Sequence, residues 1–299
     1  MLMLAAASTA LAAPQQVQLV LSGAGDPYRG LASSLEARLR RDGDARRLGL
    51  LPMQAREFDG ARADLTVSVG MKACETVVAA GTARPALCVL VPKAGFRRLA
   101  QDASTDRLSA IYLDQPVARQ LALARALLPE ARRAGVLAGP EVRREGAGIH
   151  LSARAVGLEV DLEATDGTTH DAARGIGRLL RDTDLILAVY EPDVLTPSTA
   201  KWLLHLAHQQ RRPVVGFSRA YVEAGAVAAV FSTPEQIGRQ TAEAILSWVR
   251  GGGRGLAPAA YPLEFDIEVN RTVATALGLE PPSNGKLKKQ VARISGGVP

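Results

Sequence analysis

Short apolar runs recur along this chain. Each ends in Gly, Pro, Ser or Asp, and stretches of helical period lie between them. Val17–Leu21 (VQLVL) reads as the first buried strand and runs into Ser-Gly-Ala-Gly-Asp-Pro. Tyr28–Arg41 then places Leu31, Leu35 and Leu39 on one helical face, and Gly43 stops it. Leu48–Leu51 and Ala63–Gly70 read as strands, Met71–Ala80 as a helix, and Ala86–Val91 (ALCVLV) as a strand followed by a short helix to Ala100. Leu108–Leu113 is a further strand. Beyond it lie helices at Val117–Leu128, Val142–Val156, Thr168–Arg181 and Thr199–Gln210, alternating with strands at Ala134–Ala138, Leu158–Leu162 and Asp184–Val189.

The stretch Arg211–Leu246 organises the rest. It gives a strand at Val214–Phe217, a polar connection from Ser218, a second apolar run at Ala226–Phe231, and a helix from Glu235 to Val249. Ser232 or Thr233 can cap that helix, and Pro234 suits its first turn. Leu263–Val269 alternates in polarity, as a half-exposed strand does, and Arg271–Leu277 is a last short helix before Pro281-Pro282.

Such alternation implies mostly parallel sheets covered on both faces. The strands are too many for one sheet, and a boundary falls naturally at Asp114-Gln115-Pro116. The expected organisation is a first lobe over 13–114, a second over 115–232, and a segment over 233–283 that crosses back to complete both. A basic flexible tail over 284–299 is expected, because Gly285–Pro299 is lysine-containing and poor in apolar residues.

Composition narrows the function. A hydrophobic fraction of 47% supplies ample core for 299 residues, while an aromatic fraction of 4% argues against a surface built on base or sugar stacking. The net charge of +6 could signal nucleic acid. Here, however, the arginines are scattered at helical spacing among acids, as on solvated helix faces. The N-terminal MLMLAAASTALAAPQQ is apolar and offers a small-x-small site after Ala12, so residues 1–12 are read as what remains of a signal peptide and the chain as exported to the periplasm. Cys74 falls in the first turn of a helix and Cys88 inside the next strand; an oxidising compartment would allow them to pair, but buried free thiols are the expectation.

Motifs for chemistry are missing: there is no G-x-S-x-G, no P-loop and no H-E-x-x-H. His205 and His208 stand at metal-ligand spacing, but no acid or thiol on their helix completes a set, so no metal and no cofactor is expected. What remains are the turns at strand C-termini, where open α/β sheets bind ligands. Ser22–Asp26 and Gly70-Met71-Lys72 end strands in the first half. The latter opens a helix, where N–H groups and the lysine would suit a carboxylate or phosphate. Gly139-Pro140-Glu141, Tyr190-Glu191-Pro192-Asp193 and Phe217-Ser218 end strands in the second half. The acids beside Tyr190 could meet an amine; equally, Asp193 could simply cap nearby backbone.

Several of these segments resemble one family: Ile111–Glu141, Asp184–Val194 (DLILAVYEPDV), Arg211–Glu243 and Val269–Glu280 (VNRTVATALGLE). They are similar to the ABC-transporter substrate-binding proteins of type I periplasmic-binding fold, in the branch that includes aromatic amino-acid binders. The resemblance is weaker at Ala63–Ala80. Where the family commonly has Asp-Pro, this chain has Val91-Pro92-Lys93-Ala94, so the family's ligand does not transfer. The resemblance implies an α/β fold of two Rossmann-like doubly wound lobes with a hinge and an interlobe cleft. It also implies capture of a small organic ligand by lobe closure, and a membrane permease as partner. The residues expected to touch the ligand are Ser22, Gly70, Met71 and Lys72 from the first lobe and Glu141, Tyr190, Glu191 and Ser218 from the second. Two rival expectations remain. One is a ligand-sensing accessory subunit of another membrane partner. The other is a two-lobed transferase, for which Glu191 and Asp193 are the best-placed acids.

Overall fold

The computed structural model describes residues 15–60, 62–81, 84–101 and 107–297. The segment read as a signal peptide lies outside them. The chain divides into two compact units and passes between them three times. Unit 1 comprises residues up to Ile111 together with Ile237–Ala260; unit 2 comprises Tyr112–Gln236 and the chain from Tyr261.

Unit 1 begins with β1 (Gln16–Leu21), α1 (Asp26–Arg40) and β2 (Gly49–Gln54). It continues through β3 (Leu65–Val69), α2 (Met71–Ala79), β4 (Ala86–Val91), α3 (Lys93–Ala100) and β5 (Leu108–Tyr112). The sheet runs in the order β2-β1-β3-β4-β5, with β1 parallel to β2 and β3, and β3 parallel to β4. This is a doubly wound order, in which the chain reverses direction across the sheet between β1 and β3.

Unit 2 repeats the scheme. Its elements are α4 (Val117–Leu127), β6 (Arg133–Ala138), α5 (Pro140–Arg144), α6 (Gly146–Ala155), β7 (Glu159–Ala164), α7 (Thr169–Asp182), β8 (Leu185–Leu187) and α8 (Pro197–Gln209). There follow β9 (Val214–Gly216), α9 (Arg219–Glu223), β10 (Ala228–Phe231), α10 (Pro234–Arg250), β11 (Asp266–Val269), α11 (Arg271–Ala276) and α12 (Asn284–Ser295). The sheet order is β7-β6-β8-β9-β10-β11, parallel except for the antiparallel β10/β11 pair. Its point of reversal lies between β6 and β8.

One face of the first sheet packs Val17, Leu19, Leu21, Leu65, Val67 and Leu87 against Leu31, Leu35 and Leu39 of α1. Ile237, Ile245, Leu246 and Trp248 of α10 belong to the same core. Gly238 lets α10 approach α1: a Cβ there would stand 2.5 Å from the Leu31 carbonyl oxygen. The core of unit 2 joins β6, β7, β9 and β10 to α4, α6 and α12, with a second cluster under α7 and α8.

Four expectations are corrected. Cys74 and Cys88 are disulfide-bonded, not free thiols. The helix and strand that carry them are adjacent layers, and the pairing register puts Cys88 on the α2 side of the sheet, beside Ser68. The tail read as flexible forms α12, because Leu287 and Val291, spaced for one helical face, are fully buried against the unit 2 core. The helix expected over Val142–Val156 breaks at Glu145 into α5 and α6. Finally, the polar connection after Ser218 contains α9, a single short helix that buries Tyr221 and Val222.

Candidate functional site

The strand ends at the two points of reversal, with the helix starts that follow them, carry seven of the eight residues expected to touch a ligand. In unit 1, Ser22 follows β1 and Gly70 follows β3. Gly70 is the N-cap of α2 with a φ of 89°, a left-handed conformation that glycine adopts without strain. Having no side chain, it cannot cap its own helix. The cap comes from across the reversal instead: the Ser22 hydroxyl accepts a hydrogen bond from the Ala73 amide at 2.8 Å. A Cβ on Gly70 would stand 2.7 Å from Ser22 Oγ and 2.7 Å from the Tyr28 ring. Met71 lies half-buried with its sulfur against Gly95 of α3. Lys72 is exposed. The neighbouring end of β4 holds Leu90 at a φ of 54°, a strained setting for a leucine.

Unit 2 solves the same problem with a different side chain. Gly139 follows β6 and is the N-cap of α5. Glu191 follows β8, is fully buried, and its Oε2 accepts a hydrogen bond from the Val142 amide at 2.9 Å. Ala73 and Val142 are both the third residue of their helices, and a Cβ on Gly139 would stand 2.6 Å from Glu191 Cδ. Burial pushes the Glu191 carboxyl above the ordinary glutamate range, and the negative charges of Glu141 and Asp193 add to the shift; the Val142 amide opposes it. The Glu191 backbone carbonyl also accepts from Val194 and Leu195 at 3.1 and 2.7 Å, folding the β8 loop back on itself.

Around this lock sit half-exposed side chains. Glu141 is paired with Arg144 at 3.0 Å. Tyr190 meets Phe217 edge-on with ring centroids 5.5 Å apart, and Phe217 in turn packs on Tyr221 at 4.6 Å. Gly216 admits the Tyr221 side chain, which would lie 2.6 Å from a Cβ at that position. Burial pushes the Tyr221 phenol up to about 12, so it stays neutral. Ser218, at the end of β9, is half-buried and begins α9.

The structure thus brings Ser22 and Gly70 together in unit 1, and Glu141, Tyr190 and Glu191 together in unit 2, with Ser218 one strand further along. Ser22 and Glu191 spend an oxygen on a helix amide rather than presenting it outward. Sequence reasoning passed over Tyr28 and Gly139 as partners of these residues. The doubled pattern of a glycine opening a helix, paired with a polar residue ending the strand across the reversal, could have found them only once the strand order was known. Among the described residues no cluster of His, Cys, Asp and Glu could hold a metal ion, and no helix is long and apolar enough to cross a membrane.

The ABC transporter substrate binding protein family matches residues 46–286. The chain belongs to that family. No curated protein matches this substrate-binding protein. Among solved structures, a ligand-free, open substrate binding protein with adhesive properties from Clostridium difficile is similar at 19% identity and a TM-score of 0.70, over 90% of this chain and 97% of that one. A domain from Streptococcus pneumonia in complex with L-Trp is similar at 16% identity and a TM-score of 0.62, over 92% and 98%. A conserved domain protein from Vibrio cholerae is similar at 20% identity and 0.61, over 92% and 98%. At these identities the likeness establishes the fold: two parallel-sheet lobes of the periplasmic-binding-protein kind.

Proposed function

We propose that this substrate-binding protein captures a small organic ligand by closure of its two units and delivers it to the permease of an ABC-type uptake system, without chemistry on the ligand. The observation that carries this reading is the coincidence of the candidate residues with both points of strand reversal, the place where open α/β sheets bind ligands. Unit 1 offers Gly70, Met71 and Lys72 at the N-terminus of α2, where the helix dipole and the lysine favour a negatively charged group. Unit 2 offers the Tyr190 and Phe217 rings with Ser218 and Glu141, a mixed apolar and polar surface suited to a molecule with a hydrophobic body and a polar end. A ligand that touches both units favours the closed population over the open one. Export to the periplasm fits the apolar small-residue N-terminus and the oxidised cysteine pair.

The test is a thermal-shift screen of the protein from Ala13 onward against amino acids, small carboxylates, purines and sugars. A ligand at a hundredfold excess over its Kd adds about 2.7 kcal/mol to the folded state. A shift confined to one chemical class, lost in Lys72→Ala or Ser218→Ala, supports the reading. No shift across the panel overturns it in favour of an accessory subunit with a protein partner.

A further inference from the structure

The disulfide joins two elements that both end at the candidate edge of unit 1. Cys74 lies in the first turn of α2, where its amide donates to the Gly70 carbonyl at 3.1 Å. Cys88 lies in β4, opposite Ser68 of β3, whose hydroxyl contacts its sulfur at 3.2 Å. Both cysteines are fully buried.

The sheet face beneath α2 is poorly furnished with apolar bulk. Among the described residues the buried apolar cluster between it and α2 consists of Val20 and Ala86 from the sheet, Ala73 and Val77 from α2, and Ala55, edged by Met53, Phe58 and Leu108. The strand alternation puts Gln18, Thr66 and Ser68 on this same face, all buried. Gln18 Oε1 and Thr66 Oγ1 have no hydrogen-bond partner there. Hydrophobic stabilisation scales with apolar area, and each buried polar atom left unpaired opposes it. The opposite face carries far more apolar bulk, with its leucines and Trp248. Helix α2 is therefore seated on small and polar side chains, with Ala73 and Val77 as its buried aliphatic contacts, and it is the helix whose first turn presents Gly70, Met71 and Lys72.

We propose that the Cys74–Cys88 bond is the positioning element of the Gly70–Met71–Lys72 turn: it substitutes covalently for the bulky apolar contacts that this layer lacks. Oxidation then governs the order of this end of unit 1 while the sheet stands without it. The functional weight of this inference rests on the binding reading above; its mechanical content does not.

Amide hydrogen exchange on the full-length protein tests it without any ligand. Oxidised protein is compared with protein reduced by tris(2-carboxyethyl)phosphine and with the double variant Cys74→Ala/Cys88→Ala. The expected result is exchange over Met71–Ala80 faster by about tenfold or more in both reduced and variant protein, with β1, β3 and unit 2 unchanged, as in local unfolding. Uniformly faster exchange through unit 1, failure of the double variant to fold, or unchanged exchange over α2 would each overturn the proposal. The binding reading fails on different evidence, since a silent thermal-shift panel on oxidised protein leaves the exchange result untouched.

Discussion

Ser22 Oγ receives the Ala73 amide proton at 2.8 Å, so a residue ending one strand caps the helix that follows another. The arrangement welds β1 to the start of α2 across the point of reversal. Removing the hydroxyl leaves an amide of the first helical turn without its acceptor. Ser22→Ala is expected to cost about 1 kcal/mol, the usual worth of a helix cap, read as a lower urea midpoint with an unchanged slope. A change of slope instead would mean that the variant alters the compactness of one state rather than removing a cap.

Glu191 makes the matching bond in unit 2 but under burial, and its carboxyl is raised above the ordinary glutamate range. Folding therefore favours the protonated form. That contribution is fully present below the ordinary value of about 4.3 and is lost as the pH rises through the raised one. Wild-type stability should fall across this window, while Glu191→Gln, neutral at every pH and still able to accept from Val142, should lose that part of the profile. Urea midpoints measured from pH 4 to pH 8 decide it; identical profiles for the two proteins would sink the assignment.

Gly238 sits inside a helix, where alanine would ordinarily gain up to about 1 kcal/mol in propensity. Here the sign reverses. A Cβ at this position meets the Leu31 carbonyl oxygen at 2.5 Å, and that oxygen is backbone that cannot swing aside. Gly238→Ala is expected to destabilise the protein by about 1–3 kcal/mol, the range for overpacking. A thermal melt reads the direction directly, and a raised Tm would contradict the contact.

Helix α12 buries Leu287 and Val291 against α4 and β11, and Lys288 reaches Asp266 at 2.7 Å. A chain ending at Ser283 exposes the apolar surface beneath them. Two such side chains are worth about 3 kcal/mol at the low end of the usual range, and the truncated protein should unfold at lower urea and bind a hydrophobic dye more strongly. A truncation that left both readings unchanged would return the tail to the flexible role its composition suggested.

Much of the architecture was legible because buried parallel strands write themselves as continuous apolar runs. Val17–Leu21, Ala63–Gly70 and Ala86–Val91 each became a strand of the first sheet. The tail hid its helix because Leu287, Val291 and Ile294 are few among many charges, so composition outweighed a correct 4-then-3 spacing. Helix α9 is too short to show any period, and Tyr221 is buried by its neighbours in space, not by its pattern. The disulfide depends on the layer and register that bring Cys74 to Cys88, neither of which spacing reveals. The strand-end turns could be located from sequence, but the roles of Ser22 and Glu191 could not. Which oxygen caps which helix follows from strand order, and strand order is a property of the folded chain.

Residues Ile237–Ala260 belong to unit 1 although they are synthesised after most of unit 2. Ile245, Leu246 and Trp248 complete a core whose other half ends at Ile111. A ribosome adding about 5–20 residues per second reaches Trp248 on the order of ten seconds after Ile111. Throughout that interval the first-made half has its leucines but not the helix that covers them. Unit 2 likewise awaits α12, which is made after α10. Unit 1 therefore cannot complete its core until α10 has been made, and its two parts must find each other across the whole of the intervening chain.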